Sequence, residues 1–187
     1  MNLDWLPDDG GTGHMPPSEA VIDFWKKAKD KTNFKKVIEI GFNAGHSSCI
    51  LLELFDDVEI LSFDIGQFEI THTNGKLVKE KYVDRFNLKI KDSLKITPEE
   101  INGYDIMFID GGHDYEIVSK DIDLFMKSDI NYVILDDLNH PGVSKAYSEL
   151  DGLDTILKYK YRAVLPSWMR NTGKSPVMVP IEILKKK

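Results

Sequence analysis

Short apolar runs, most of them rich in β-branched residues, alternate with amphipathic segments along the middle of the chain. The spacing of apolar positions in the amphipathic segments predicts helices over residues 18–31, 46–55, 76–84, 115–127 and 143–159. The apolar runs predict strands over residues 37–40, 58–63, 87–90, 106–109 and 132–135. Continuous apolar strands separated by helices are typical of a parallel sheet that helices cover on both faces.

The two ends of the chain depart from this alternation. Residues 8–17 are rich in glycine, proline and aspartate, so residues 1–17 are expected to form an irregular N-terminal arm. Strand-like runs at residues 161–165 and 177–184 flank a segment with several turn-forming residues, a pattern that predicts a closing antiparallel hairpin. The whole pattern predicts an α/β fold: a doubly wound, mostly parallel, seven-stranded Rossmann-like sheet with helices on both faces and a C-terminal antiparallel hairpin.

Length and composition narrow the class of protein. The chain has 187 residues, of which 42% are hydrophobic, and this suffices for one buried core, so we expect a single domain over residues 1–187. The formal net charge is -7, and no predicted helix carries a basic stripe, which argues against nucleic acid as a partner. The sequence has neither a signal-peptide pattern nor an apolar run of membrane-spanning length. We therefore expect a cytoplasmic protein without a membrane partner.

Residues 37–48, which read Val-Ile-Glu-Ile-Gly-Phe-Asn-Ala-Gly-His-Ser-Ser, carry the first candidate chemistry. A predicted strand leads through a loop with Gly41 and Gly45 into a predicted helix, so backbone N–H groups at a helix N-terminus can approach a ligand. The glycine spacing differs from the G-x-G-x-x-G of dinucleotide-binding proteins, and Glu39 would repel a pyrophosphate. A carboxylate beside these N–H groups suits a zwitterion, such as the methionine part of S-adenosylmethionine.

Polar residues at the ends of the next two predicted strands fit the rest of such a ligand. Asp64 follows the second strand, where an acidic side chain can accept hydrogen bonds from both ribose hydroxyls. Asp92 and Ser93 follow the third strand and could hydrogen-bond to the edge of adenine. Simpler alternatives exist, because Asp64 could cap its strand end and Asp92 with Ser93 could form a turn.

Three aspartates at the ends of the fourth and fifth predicted strands form a candidate metal site. Asp110, Asp136 and Asp137 are expected to converge near the cofactor, because the carboxyl ends of neighbouring parallel strands meet in one crevice. Three oxygen ligands favour Mg²⁺ or Ca²⁺ over zinc, although aspartates can also simply cap strand ends. His113 follows closely and could accept a proton near neutral pH, although it could instead hydrogen-bond the loop or a metal-bound water. His140 is either the competing base or a residue that supports the metal ligands.

On these residues the chain resembles the class I S-adenosylmethionine-dependent methyltransferases. It is most similar to the metal-dependent small-molecule O-methyltransferases, such as those that methylate catechol or sugars, over about residues 37–142. The family's metal site has an Asp-Asn pair where this chain has Asp136 and Asp137, and the catechol enzyme has a lysine in place of His113. The cofactor-binding residues that the resemblance implies are Glu39, Gly41, Phe42, Asn43, Gly45, Ser47, Asp64, Asp92, Ser93 and Asp110.

The leading hypothesis is an O-methyltransferase that acts on a small hydroxylated molecule, either catechol-like or a sugar diol, with Mg²⁺ or Ca²⁺. In this hypothesis His113 accepts the proton of the attacking hydroxyl. A nicotinamide-dependent oxidoreductase and a non-catalytic S-adenosylmethionine-binding protein remain as alternatives. Side chains of the arm and of the hairpin loop could form a substrate wall or a homodimer contact, and the aromatic ones could equally be packing residues. These residues are Trp5, Met15, Trp168, Met169, Arg170 and Asn171.

Overall fold

The computed structural model describes residues 1–8, 14–163 and 178–187. The helices are α1 Glu19–Thr32, α2 His46–Leu54, α3 Glu69–Tyr82, α4 Tyr115–Lys127 and α5 Pro141–Ser148. The strands are β1 Lys36–Ile40, β2 Glu59–Asp64, β3 Phe86–Ile90, β4 Ile106–Ile109, β5 Tyr132–Leu135, β6 Leu153–Arg162 and β7 Met178–Lys186. Short 3-10 turns lie at Val83–Arg85, Ser93–Lys95 and Pro98–Glu100. None of the described helices is long and apolar enough to cross a membrane.

The described strands form a seven-stranded sheet in the order β3-β2-β1-β4-β5-β7-β6. Strands β1 to β5 pair in parallel, whereas β7 pairs antiparallel with both β5 and β6. The fold class predicted from the sequence is therefore confirmed. The chain changes its winding direction between β1 and β4, and ligands of such sheets bind at this point, beyond the carboxyl ends of the strands.

Two apolar layers cover the two faces of the sheet. Successive residues of a strand point to opposite faces, so Val37 of β1 packs in one layer and Ile38 in the other. Helices α1 and α2 bury Trp25 and Leu51 in the first layer. Helix α4 buries Phe125 in the second. Both faces of β1 are thus covered, which explains its continuous apolar sequence.

The segment after α5 corrects the sequence prediction of a helix over residues 143–159. Helix α5 ends at Ser148, and β6 begins at Leu153. Gly152 lies between them with φ +75°, a left-handed conformation that interrupts a helix. Residues 153–162 then pair with β7, and this tertiary pairing outweighs the apolar spacing that suggested a helix.

Helix α3 begins at Glu69, seven residues before the predicted start at Lys76. Its first turns contain Thr71, Asn74 and Gly75, which have low intrinsic helix propensity. These positions are buried, and a Cβ on Gly75 would lie 2.5 Å from a methyl group of Leu88. Packing against β3 therefore stabilises a turn that the sequence alone does not favour.

The buried carboxyl group of Asp121 in α4 is expected to lower the stability of the folded protein at neutral pH. It is 1% exposed, and burial raises its pKa to about 6 from an ordinary value of 3.8. Because the folded state holds the proton more tightly than the unfolded state does, stability is lost as pH rises from about 4 through 6. The charged form costs at most about 3 kcal/mol. We expect Asp121→Asn to raise the free energy of unfolding by about 1–2 kcal/mol at pH 8 and by less at pH 4.

Urea denaturation at the two pH values measures this effect. Asp123→Asn is the matched control, because the Asp123 side chain lies on the same helix, is 46% exposed and pairs with Lys127 at 2.6 Å. We expect the control to change the free energy of unfolding by less than about 0.5 kcal/mol at either pH. Equal effects of the two variants would show that burial of Asp121 does not cost stability.

Candidate active site

A cavity of about 750 Å³ opens at the carboxyl ends of the parallel strands. Its volume lies in the range of about 300–1,000 Å³ that is typical of ligand sites. Most of the predicted site residues line it: Gly41, Phe42, Asn43, Gly45, Ser47, Asp64, Asp92, Ser93, Asp110, His113 and Asp137. Among the predicted residues, Glu39 and Asp136 do not line this cavity.

Gly41 and Gly45 allow the chain to turn from β1 into α2. Gly41 has φ +95°, and a Cβ on it would lie 2.2 Å from the carbonyl oxygen of Asp110. Gly45 is the N-cap of α2 with φ +82°, and a Cβ there would lie 2.4 Å from the ring of Phe42. Any larger residue would be both strained and in collision at these positions. The loop backbone therefore stays close to the cavity, with no side chain in between.

Glu39, which the sequence predicts as a cofactor-binding residue, is buried and does not itself line the cavity. It is fully buried and accepts hydrogen bonds from the hydroxyls of Ser47 at 2.6 Å, Ser48 at 2.5 Å and Ser62. Burial raises the pKa of the Glu39 carboxyl group, and the three serine hydroxyls oppose that rise. Because the Ser47 hydroxyl donates a hydrogen bond to Glu39, the Ser47 oxygen can still accept a hydrogen bond from the cavity side.

Phe42 and Asp64 hold the glycine loop in place. The Phe42 ring is 1% exposed and packs on Phe86 with ring centroids 5.4 Å apart, so the ring belongs to the core. Asp64 Oδ2 accepts hydrogen bonds from the N–H groups of Phe42 at 3.0 Å and Asn43 at 2.8 Å, and Oδ1 accepts one from Gly66 at 2.7 Å. A carboxylate has about four acceptor positions, so one remains for a ligand. The two ribose hydroxyls predicted for Asp64 would therefore compete with the loop for this side chain.

Asp92 begins the 3-10 turn Ser93–Lys95, which is the turn that the sequence offered as an alternative role. Its Oδ1 accepts a hydrogen bond from the N–H of Leu94 at 3.0 Å, and its Oδ2 lies 3.7 Å from the ammonium of Lys95. Asp92 and Ser93 also line the cavity, so the turn and the predicted ligand contact are compatible. Leu94 and Ile65 add exposed apolar surface to the same part of the cavity.

The ends of β4 and β5 bring Asp110, His113 and Asp137 together. One potential ligand atom from each lies within 4.8 Å of the others. His113 Nε2 lies 2.9 Å from Asp137 Oδ2. Asp137 has φ +53°, a left-handed conformation that is uncommon outside glycine and that often marks a functional site. These three residues form the acidic cluster of the cavity.

Asp136, which the sequence predicts as a ligand together with Asp110 and Asp137, is not among the three residues of this acidic cluster. Its Oδ2 accepts a hydrogen bond from the Tyr161 hydroxyl at 2.5 Å, and its Oδ1 accepts one from the N–H of Asp137 at 2.9 Å. The two adjacent aspartates therefore have different neighbours, because Asp136 contacts Tyr161 whereas Asp137 contacts His113. The third member of the cluster is His113, which the sequence suggested as the base.

Negative charge accumulates around the acidic cluster. Burial, followed by the neighbouring Asp137, raises the pKa of Asp136 to about 7, and burial with the carboxylates of Asp136 and Asp137 raises the pKa of Asp110. A hydrogen bond to Asp137 raises the pKa of His113. Within the described part of the chain, no lysine or arginine forms an ion pair with these three aspartates. Such a group is stabilised by a bound cation.

The N-terminal arm also reaches the cavity, which the sequence pattern did not show for His14. His14 stacks on His46, the first residue of α2, with ring centroids 3.8 Å apart and 11° between the ring planes. Burial lowers the pKa of His46 to about 4, so its ring is neutral at pH 7. This stacking depends on how the arm folds back over α2. The sequence could not predict it, because an irregular arm has no periodic pattern of apolar residues.

The N-terminal arm and the closing hairpin also contribute residues to the cavity wall. Met15 lines the cavity together with Tyr161 and Val179, as the substrate-wall interpretation of the sequence allowed. Trp5 packs elsewhere, with its ring centroid 6.3 Å from that of Tyr82. The other residues that the sequence suggested for a wall lie outside the described residues; they are Trp168, Met169, Arg170 and Asn171.

Comparison with known proteins gives one family and one sequence relative. Residues 38–135, just over half of the chain, match the family described as Methyltransferase domain. The relative is a protein of Acanthamoeba polyphaga mimivirus described as uncharacterized protein R132, which is 28% identical over 133 residues. The match covers 66% of this chain and 57% of the viral protein, so the chain spans little more than half of that relative.

Solved structures share the fold at low sequence identity. A candidate RNA methyltransferase from Pyrococcus horikoshii has a TM-score of 0.67 at 14% identity, with 96% of this chain and 89% of that chain covered. A candidate caffeoyl-CoA O-methyltransferase from Staphylococcus aureus has a TM-score of 0.61 at 17% identity, with 91% and 84% covered. The family match and the fold together show that this chain belongs to the methyltransferase domain family, among the class I methyltransferases that use S-adenosylmethionine.

Proposed function

We propose that this protein transfers the methyl group of S-adenosylmethionine to a hydroxyl oxygen of a small molecule, with the help of a divalent cation. The observation that carries the proposal is the acidic cluster of Asp110, His113 and Asp137 on the wall of the cavity that the glycine loop also lines. A cation site beside a methyl-donor site can fix the position of a hydroxyl and favour its ionisation.

The residues of the cavity fit the parts of S-adenosylmethionine. The Ser47 oxygen, held by Glu39, would accept a hydrogen bond from the ammonium group, and the N–H groups at the start of α2 would bind the carboxylate. Asp64 keeps one acceptor position for the ribose. Ser93 and the apolar surface of Ile65 would face adenine. When bound, the cofactor supplies an electrophilic methyl group.

The acidic cluster fits a divalent cation by charge and by ligand type. Asp110 and Asp137 would provide oxygen ligands, and His113 would provide a nitrogen ligand. The raised pKa of Asp110 reflects its burial and the repulsion by nearby carboxylates, and a cation would relieve that repulsion. When bound, the cation supplies positive charge that favours ionisation of a hydroxyl beside it.

The nitrogen ligand changes the expected choice of ion. Three carboxylates favoured Mg²⁺ or Ca²⁺, whereas imidazole is typical of transition-metal sites. We expect Mn²⁺ to bind at least about tenfold more tightly than Mg²⁺ or Ca²⁺, following the general preference of mixed nitrogen and oxygen sites. Calorimetric titration with each ion measures this order, and tighter binding of Ca²⁺ would exclude His113 as a ligand.

His113 and His140 both line the cavity, with ring centroids 4.9 Å apart. Because His113 contacts Asp137, we assign His113 to the cation and the proton transfer to His140. We expect His113→Ala to weaken Mn²⁺ binding by about 10–100-fold or more. His140→Ala should leave Mn²⁺ binding within about twofold and lower kcat by about 10²–10⁴-fold. Calorimetric titration with Mn²⁺ and initial rates of methyl transfer separate the two roles. If His140→Ala weakens Mn²⁺ binding and His113→Ala mainly lowers kcat, His113 would be the base.

The acceptor would lie between the acidic cluster and the wall of Met15, Tyr161 and Val179. This wall is mostly apolar and aromatic, which favours a planar aromatic diol over a sugar diol. One hydroxyl would face the cation and the other would lie beside it. The sugar diol remains the second acceptor class, since its hydroxyls could approach the acidic cluster in the same way.

Calorimetric titration tests the cofactor part of the proposal. We expect S-adenosylmethionine and S-adenosylhomocysteine to bind and NAD(H) to give no heat of binding. Binding of NAD(H) without a response to S-adenosylmethionine would favour the oxidoreductase alternative. Binding of S-adenosylmethionine without methyl transfer to any diol, in the presence of Mn²⁺ or Mg²⁺, would favour the non-catalytic alternative.

A further inference from the structure

We propose that Asn74 of α3 is a positioning residue that holds the N-terminal arm against the glycine loop, so that the arm completes the cofactor site. The part of the site concerned is the one that takes the amino-acid end of the cofactor. This inference rests on the proposed use of S-adenosylmethionine. Asn74 does not line the cavity, so it acts through the two backbone segments that it joins.

The side-chain amide of Asn74 connects the arm to the loop directly. Asn74 is 0% exposed, and its Nδ2 donates one hydrogen bond to the carbonyl oxygen of Pro7 at 2.9 Å and another to that of Ala44 at 2.8 Å. Carbonyl oxygens only accept hydrogen bonds, so the amide nitrogen and not the amide oxygen must face them. One buried side chain therefore satisfies a carbonyl group of the arm and one of the glycine loop.

The rest of the described arm is packed on the core and on α2. Leu3 and Leu6 are buried in the first apolar layer of the sheet. Further along the arm, the ring of His14 stacks on that of His46 with centroids 3.8 Å apart, and Met15 is 3% exposed and lines the cavity. The arm thus contacts the glycine loop through Asn74 and the start of α2 through its own histidine.

Both contacts lie beside the groups proposed to bind the amino-acid end of the cofactor. Ala44 precedes Gly45, the N-cap of α2, and His46 is the first residue of that helix. The N–H groups at this helix start would bind the carboxylate, and the Ser47 oxygen would accept a hydrogen bond from the ammonium group. Because a peptide unit is planar, the hydrogen bond from Asn74 to the Ala44 carbonyl also sets the direction in which the chain enters α2.

The coupling between arm and cofactor must be reciprocal. If the docked arm raises the affinity for a ligand by some factor, the ligand stabilises the docked arm by the same factor. The arm contains a backbone hydrogen bond that can report this, from the N–H of Leu6 to the carbonyl oxygen of Leu3 at 2.9 Å. Hydrogen exchange in residues 1–8 should therefore slow when the amino-acid end of the site is occupied.

The test is calorimetric titration of the full chain with S-adenosylhomocysteine and with methylthioadenosine, which lacks the amino-acid end. Asn74→Leu removes both hydrogen-bond donors at similar side-chain volume. We expect it to weaken binding of S-adenosylhomocysteine at least about tenfold, because two buried carbonyl groups lose their partner. Binding of methylthioadenosine should stay within about threefold, since this ligand does not use the groups at the start of α2.

Thr71→Val is the matched control on the same helix. Thr71 is also 0% exposed, and its hydroxyl has no hydrogen-bond partner among the residues that the structure describes. The control therefore removes a buried polar group without releasing the arm, and it should leave the Kd of either ligand within about twofold of that of the unmodified protein.

Two further measurements do not depend on the folding of Asn74→Leu. His14→Ala removes the stacking on His46 and should weaken binding of S-adenosylhomocysteine about threefold or more. In the unmodified protein, saturating S-adenosylhomocysteine should slow hydrogen exchange in residues 1–8 about tenfold, and methylthioadenosine should slow it less than about threefold. Exchange that neither ligand slows would overturn the inference.

The inference and the proposed function fail in different ways. Equal weakening of both ligands by Asn74→Leu would indicate a purely structural role of Asn74 and would contradict the inference. An unchanged affinity for S-adenosylhomocysteine in Asn74→Leu and His14→Ala would contradict it as well. In both cases binding by the unmodified protein leaves the proposed function in place, whereas failure of the unmodified protein to bind S-adenosylhomocysteine would overturn both.

Discussion

Replacement of Asp137 by alanine is expected to weaken Mn²⁺ binding by at least about 100-fold and to lower methyl transfer by a comparable factor. Asp137 provides one of the three ligand atoms that lie within 4.8 Å of one another, and its carboxylate also contacts His113 at 2.9 Å. Its removal takes away a charge and a ligand together. Asp137→Asn keeps an oxygen ligand without the charge, so we expect an intermediate loss of about tenfold. Calorimetric titration with Mn²⁺ measures both.

Asp136→Ala is the matched control, since it removes the adjacent carboxylate whose oxygens bind Tyr161 and the N–H of Asp137. We expect this variant to keep Mn²⁺ binding within about tenfold of the unmodified protein. The pair of variants thus distinguishes the ligand set in the structure from the one suggested by the sequence. If Asp136→Ala loses Mn²⁺ binding while Asp137→Ala retains it, the ligand set suggested by the sequence would be favoured.

Gly41→Ala is expected to destabilise the protein by at least about 3 kcal/mol and to reduce the affinity for S-adenosylhomocysteine more than tenfold. Gly41 has φ +95°, and the new Cβ would lie 2.2 Å from the backbone oxygen of Asp110. Backbone cannot move aside as a flexible side chain can, so either β4 or the glycine loop must shift. Asp110, which follows β4, and the glycine loop both line the cavity, so the same shift should disturb binding.

Gly103→Ala separates the effect of the collision from that of the backbone conformation. Gly103 has φ +83°, close to that of Gly41, but a Cβ there would meet nothing within 4 Å among the residues that the structure describes. We expect a cost of about 1–2 kcal/mol from the left-handed conformation and no change in ligand affinity. Urea denaturation and calorimetry measure the two quantities. Equal losses in the two variants would mean that the contact between Gly41 and Asp110 is unimportant.

The sequence predicted the parallel core of the fold well because local and tertiary signals agree there. Helix α4 and strands β4 and β5 have the predicted bounds, since their apolar positions face one core and their ends carry clear polar residues. Strand β6 was predicted too short, because most of it was assigned to a helix. Its stability comes from pairing with β7, which is distant in sequence. The spacing of apolar residues within the segment does not predict such a pairing.

The same distinction applies to the candidate site. The glycine loop, Asp64 and Asp110 could be located from the sequence because each follows an apolar strand. Which way a side chain turns beyond the strand end could not be predicted. Glu39 faces three serines, and Asp136 faces Tyr161, a residue of the distant hairpin. These orientations depend on contacts that form only when the helices and the hairpin pack against the sheet.

The most direct test of metal-dependent O-methylation is a transfer assay with S-adenosylmethionine carrying a labelled methyl group. The acceptors are catechols and sugar diols, each with Mn²⁺ or Mg²⁺ and again with a chelator. We predict label on a hydroxyl oxygen of at least one diol and a loss of activity of about 100-fold or more when the cation is removed. Transfer only to amines, carboxylates or RNA, or transfer to a diol that the chelator does not affect, would contradict the proposed reaction.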